Sequence, residues 1–155
     1  MAVRARREEA QRYRAFMQSV DAVVMGLATF DTVRHAPSWP YGTMPVVVLS
    51  GGPPDVPDAF TSTVAHMHGT PAELVARWHA RGWTHVYVDG GNTIQRFLAA
   101  ELLHCLVLNR VPVLIGAGRP LFGDVPTDLW LDHVDTVAYP GGLVQSEYLV
   151  RRSGS

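Results

Sequence analysis

Three short apolar runs that do not alternate with polar residues, each stopping at an acidic or small residue, constrain this chain most. Ala22–Met25 ends at Gly26, Met44–Leu49 ends at Ser50-Gly51-Gly52, and Thr84–Val88 ends at Asp89-Gly90-Gly91. A strand with one wet face would alternate, whereas continuous apolar runs suit strands covered on both faces. Helical spacing follows two of them: Thr29, Phe30 and Val33 after the first, and a stretch from about Thr93 to Glu101 after the third. A further helix is expected from Pro71 to Arg81, with Thr70 as its cap and proline in its first turn. Strands that alternate with helices predict a mostly parallel sheet.

The flanks read differently. Ala10, Tyr13, Met17 and Val20 recur at helical spacing and predict an amphipathic helix over residues 5–19, with Arg4, Arg6, Arg7, Arg12 and Arg14 mostly on its wet side. After Leu103, the stretches Leu106–Ile115, Leu129–Tyr139 and Leu143–Arg151 look like strands, and Pro140-Gly141-Gly142 predicts a hairpin turn, so antiparallel pairing is expected there. Residues 1–152 are read as one domain and 153–155 as a tail.

Composition narrows the chemistry. Of 155 residues, 47 % are apolar and 17 % charged, enough for one core and too few charges for a disordered chain. All 13 basic residues are arginine, so Schiff-base chemistry on a lysine is excluded. A net charge of −1 gives no general pull toward nucleic acid or an anionic membrane, and neither is expected as a partner. No apolar run reaches membrane-spanning length. No signal-peptide pattern is present, and Glu8 and Glu9 argue against a transit peptide, so a cytoplasmic protein is expected.

Ligands of open α/β sheets bind at the carboxyl ends of strands. Gly26 with Thr29, and Gly90-Gly91-Asn92-Thr93, each place a glycine before a helix whose free N–H groups and positive dipole end suit phosphate. Each is also what a capped helix after a tight turn looks like; two in one sheet favour a diphosphate ligand. Asp89 can orient a ligand hydroxyl or cap the next helix. The dinucleotide fingerprint is absent: Gly116-Ala117-Gly118 is followed by Arg119-Pro120, so it reads as a strand-to-strand turn. His66 and His68 would share a face of a strand, yet they have no third ligand nearby and read as surface residues; no metal site is expected. Cys105, the only cysteine, lies in an apolar stretch and reads as core. No Gly-x-Ser-x-Gly elbow or His-Glu-x-x-His pair supports a hydrolase or metalloprotease.

Four segments carry a resemblance. Val20–Phe30 is similar to the "V-D-x-x-V-M-G-R-x-T-[FY]" segment of dihydrofolate-reductase-like proteins. Trp39-Pro40-Tyr41-Gly42, followed by Pro45–Ser50, resembles their next loop and strand, and Val86–Gly91 resembles their glycine turn. Val111–Phe122 resembles "P-V-L-L-G-x-G-x-P-L-F", a signature of the branch containing the reductase domain of the bifunctional riboflavin-biosynthesis deaminase-reductase. The resemblance implies a dihydrofolate-reductase-like α/β fold: a mixed, mostly parallel sheet flanked by helices, with antiparallel C-terminal strands. It also implies a homodimer and an NADPH-dependent reductase, with NADH as the other possible cofactor. The substrate would be a small heterocycle, pterin- or pyrimidine-like, as in 5-amino-6-(5-phosphoribosylamino)uracil reductase or dihydrofolate reductase.

By that match Gly26, Ala28 and Thr29 would meet the phosphates, and Ser50 and Gly51 would sit by the adenosine ribose. Gly90, Gly91, Asn92, Thr93 and Ile94 would line the pyrophosphate and nicotinamide side, while Val33, Trp39 and Tyr41 would lie on the substrate-side loop. Trp39 is equally well read as a packing residue. The match does not single out a catalytic residue.

Two departures stand out. The family's usual first strand, a central one carrying "S-L-D-G-x-I-A", is missing from the sequence, which starts at the helix that follows it. A chain with that gap is expected to be weakly stable or weakly active unless another segment fills it, and a non-catalytic nucleotide-binding or oligomerisation module is the alternative function. Leu27 also replaces the family's arginine after the first glycine, and Gly51 stands where another arginine is often found, which predicts little preference for NADPH over NADH.

Overall fold

The structure, a computed structural model, describes residues 2–152, with side chains from Arg7 onward. The tail expected at 153–155 and the side chains of Arg4 and Arg6 lie outside the described residues. The elements run α1 (Ala2–Ser19), β1 (Ala22–Gly26), α2 (Leu27–Arg34), β2 (Val46–Leu49), β3 (Val64–Met67), α3 (Pro71–Ala80), β4 (Val86–Asp89), α4 (Gly91–Ala99), β5 (Cys105–Arg110), β6 (Leu131–Ala138) and β7 (Val144–Val150).

The non-alternating runs are strands as expected. β1 and β2 are parallel neighbours in the middle of a four-stranded sheet of order β3-β2-β1-β4. Val24 and Val47 point to the α3–α4 side, where they meet Leu74, Trp78 and Phe97. Val23, Met25, Val46 and Val48 point the other way, toward Phe30 of α2 and Met17 of α1. Burial on both faces explains why valine stands at successive positions: β-branched side chains suit a pleated surface packed from above and below.

The capping box of α3 is present in full. Thr70 Oγ1 accepts from the Glu73 amide at 3.3 Å, and the Thr70 amide donates to Glu73 Oε2 at 2.8 Å. The Asp21 carboxylate ties the entry of β1 to that of β4 by accepting from the amides of Thr84 (2.8 Å) and His85 (2.9 Å).

The C-terminal strands form a separate antiparallel sheet of order β5-β7-β6. The hairpin expected at Pro140-Gly141-Gly142 joins β6 to β7, with φ of +110° at Gly141 and +91° at Gly142. Two expectations need correction, and one strand was not foreseen. The first C-terminal strand stops at Arg110 rather than Ile115, because Pro112 has no N–H for a ladder. Residues 111–130 hold neither helix nor strand, and short i→i+2 bonds at Val113 (2.8 Å) and Ala117 (2.8 Å) shape them. β3 was not expected at all. Cys105 is exposed, not core: β5 alternates, with Leu106 facing in and Cys105 and Val107 facing out.

No helix among the described residues is long and apolar enough to cross a membrane.

Candidate functional site

Parallel pairing brings the three strand ends together. Gly26 stands opposite Leu49, and Met25 opposite Asp89, so Gly26, Ser50 and Gly90 share one end of the sheet. Gly26 is the N-cap of α2 and Gly90 the N-cap of α4, and neither has a side-chain capping bond. Two helix starts, each with unpaired first-turn amides and a positive dipole end, thus face the same edge.

The glycines are needed by the protein itself as well. A Cβ at Gly90 would lie 2.5 Å from Thr29 Oγ1, and one at Gly26 would lie 3.1 Å from Thr93 Oγ1. Each helix thereby presses its first-turn threonine against the other's glycine, which fixes the spacing of the two helix starts. Gly90 also has φ +93°, which non-glycine residues rarely adopt.

The other expected residues sort by what they touch. Leu27 and Ala28 are exposed beside Gly26, and Asn92 is exposed beside Gly91. Thr93 is buried in the helix contact. The Ile94 amide donates to Gly90 O at 2.9 Å and belongs to the helix's own bonding. The Ser50 hydroxyl donates to Gly52 O, closing its own turn, and Ser50 O faces His66 Nε2 at 2.9 Å. Gly51 lies exposed and open, with nothing within 4 Å of where a Cβ would stand.

Val33, Trp39 and Tyr41 gather on the face covered by α1 and α2. Trp39 stacks on Phe60 at 4.3 Å and meets Tyr41 edge-on at 5.2 Å, within this aromatic cluster. Its Nε1 is buried without a partner.

Tyr41 links this cluster to the strand ends. Its hydroxyl lies 3.5 Å from Asp89 Oδ2, while Asp89 Oδ1 accepts from the Gly90 amide at 2.8 Å. Burial, and then the Asp89 charge, push the Tyr41 and Tyr87 phenols well above their ordinary pKa, so both stay protonated at neutral pH. Tyr13 of α1 is shifted the same way by the same causes. A half-buried carboxylate with neutral phenols around it, beside two helix N-termini, can orient a polar heterocycle through N–H or O–H groups. Sequence reasoning missed Tyr13 and Tyr87: Tyr87 shares a face of β4 with Asp89 two residues on, whereas Tyr13 reaches that face only through the packing of α1 over β4, where Phe16 meets Tyr87 edge-on at 5.1 Å.

His66 is half-buried and His68 exposed, their rings stacked at 6.2 Å, and no group of three or more metal-ligating side chains occurs among the described residues.

The same arrangement of elements occurs in known proteins. A Shewanella sp. PV-4 protein named for riboflavin biosynthesis is 35 % identical and superposes with a TM-score of 0.84, over 90 % of this chain and 79 % of that one. Dihydrofolate reductase from Enterococcus faecalis, solved with NADP(H), is 19 % identical with a TM-score of 0.63, over 92 % of this chain and 83 % of that one. The uncharacterized protein YwjB of Bacillus subtilis (strain 168) is 25 % identical over 139 residues, which cover 88 % of this chain and 78 % of YwjB. The RibD C-terminal domain model matches residues 4–145, a span that takes in both helix starts, the tyrosine-lined carboxylate and strands β5 and β6. The fold is thus of the dihydrofolate-reductase-like kind, and the chain belongs to the RibD C-terminal domain family.

Proposed function

We propose that this chain is a nicotinamide-dinucleotide-dependent reductase acting on a small pterin- or pyrimidine-like heterocycle. The observation that carries the reading is the convergence of two helix N-termini, without side-chain caps, at the end of one parallel sheet. Their orphan amides suit a diphosphate, the feature common to NADH and NADPH. When bound, the reduced cofactor supplies the hydride. The backbone at Gly26, Ala28, Thr29, Gly90, Gly91 and Asn92 would hold it. Asp89, steadied by the Gly90 amide and the Tyr41 hydroxyl, would orient the heterocycle's polar edge. The proposed assembly is a homodimer.

The choice of cofactor follows from the arginines. The 2′-phosphate of NADPH carries close to two negative charges and calls for a guanidinium fork. Leu27 and Gly51 offer none. Arg34, the nearest arginine of α2, is already bound: Nε lies 2.9 Å from Asp31 Oδ1, and Nη1 donates to Asp55 O at 2.7 Å and Asp55 Oδ2 at 3.0 Å. A weak preference between the two cofactors is expected. Fluorescence titration with both reduced cofactors tests the reading. Binding of each within about tenfold of the other supports it. Binding of neither would favour the non-catalytic alternative, for which the split sheet speaks. A preference for NADPH above about a hundredfold, kept in Arg34→Ala, would mean that the phosphate site is elsewhere.

A further inference from the structure

Helix α1 crosses β4 in a fixed register. At its C-terminal end Ser19 O faces His85 Nδ1 at 2.8 Å. One turn earlier, Phe16 meets the ring of His85 at 6.2 Å and that of Tyr87 at 5.1 Å, both edge-on. Going back along the helix therefore means going forward along the strand. A helical turn advances about 5.4 Å and two strand residues about 6.6 Å, so the next turn sets Tyr13 toward Asp89. Its neighbour Arg12 is tied to Asp135 of β6, with N···O 2.8 Å, which limits the swing of this part of the helix.

The phenols around Asp89 differ in access and in bonding. Tyr41 is 8 % exposed, and its hydroxyl donates to Asp89 Oδ2. Tyr87 is half-buried against Phe16. Tyr13 is 46 % exposed, and its hydroxyl has no hydrogen-bond partner among the described residues. Burial and then the Asp89 charge keep it protonated, so it stands beside the carboxylate as a donor. Asp89 takes one donor on each oxygen, the Gly90 amide on Oδ1 and Tyr41 on Oδ2, and retains lone pairs for a further N–H. A pure acceptor and an unpaired donor thus sit side by side on the solvent side of the strand end.

Resting on the reading of this site as that of a reductase, we propose that Tyr13 is a specificity-determining residue, donating a hydrogen bond to a ring carbonyl of the substrate while Asp89 accepts from the ring N–H beside it. The pair selects a lactam edge, in which donor and acceptor are adjacent. A ring without the N–H faces the carboxylate with nothing to give it, and a ring without the carbonyl leaves the phenol unmet. The discrimination is shared between α1 and β4, so neither element recognises the edge alone.

Ligand-observed NMR titration of the full chain with uracil and with 1,3-dimethyluracil tests this. Uracil presents ring N–H groups beside carbonyls, whereas the dimethyl derivative keeps the carbonyls and has no N–H. The parent is expected to bind uracil at least about tenfold more tightly than the derivative. Tyr13→Phe keeps the ring beside Phe16 and removes only the hydroxyl. It is expected to weaken uracil binding about fivefold with the thermal midpoint unchanged. Equal uracil affinity in parent and Tyr13→Phe overturns the proposal. So does equal affinity of the parent for the two probes, or no binding of uracil by the parent. A loss of affinity accompanied by a lower midpoint overturns it too, because the hydroxyl would then hold the helix and not the ligand. No dinucleotide is present in this titration. Failure here beside a successful cofactor titration removes the role of Tyr13 and leaves the reductase reading standing, and uracil binding without dinucleotide binding does the reverse.

Discussion

Gly90 shows how one residue serves both fold and site. With φ of +93° and Thr29 Oγ1 2.5 Å from a would-be Cβ, any side chain there meets two penalties. Backbone strain alone costs about 1–3 kcal/mol, and the contact adds to it. Gly90→Ala is therefore expected to lower unfolding free energy in urea by at least that strain term. Thr29→Ala added to it should return only the contact part. A Gly90→Ala variant as stable as the parent would show that the two helix starts are not locked this way. In Gly90→Val the folded fraction should bind dinucleotide at least about tenfold more weakly, because a branched side chain blocks approach to the backbone.

Asp21 acts through charge. Its amide partners His85 and Thr84 hold the carboxyl below the ordinary range in the folded chain. A group with a lowered folded pKa stabilises the fold above its unfolded value, about 3.9, and loses that contribution as pH falls through the folded value. Stability should accordingly drop on acidification below about pH 4, and Asp21→Asn should flatten that part of the profile. An identical acid limb in parent and variant would sink the assignment.

At the scale of elements, what was legible depended on how each segment is buried. β1 and β2 could be read because both faces are covered and valine follows valine. β3 could not: Val64–Met67 is four residues long, carries a histidine, and is fully buried only at Met67. Cys105 looked apolar by its neighbours, but an antiparallel strand with one wet face turns alternate residues outward, so the neighbourhood misled. The glycine turns were readable as strand-to-helix corners. The reciprocal contacts of Thr29 with Gly90 and Thr93 with Gly26 were not, since each joins residues more than sixty positions apart.

The start of α3 was legible from Thr70 and the proline after it, while Glu73, which completes the box, came from the structure. Thr70→Ala should cost about 0.5–2 kcal/mol, and Thr70→Ser much less. Equal midpoints for all three chains in a chemical melt would show that the box does not contribute.

For the whole molecule, the parallel and antiparallel parts stand as separate sheets. Apolar side chains stay exposed mainly on the C-terminal half, with Val107 at 42 %, Val134 at 50 % and Leu149 at 50 %. Exposed apolar surface on that scale favours association. Light scattering at micromolar concentration is expected to give twice the 17.0 kDa chain mass. A single 17.0 kDa peak would count against the homodimer.

Cys105, the chain's lone thiol, stands on β5, an edge strand of the antiparallel sheet, opposite Leu149. Partial burial of the sulfur, and after it the Glu147 carboxylate, raises its pKa to about 11. Since only the thiolate attacks, a maleimide or disulfide reagent will label it slowly at neutral pH, and about ten times faster for each unit of alkalinity gained below that value. The protein therefore carries a built-in single-site chemical clock at the edge of its antiparallel sheet. Its rate can be read on unmodified wild-type chain, without any engineered probe.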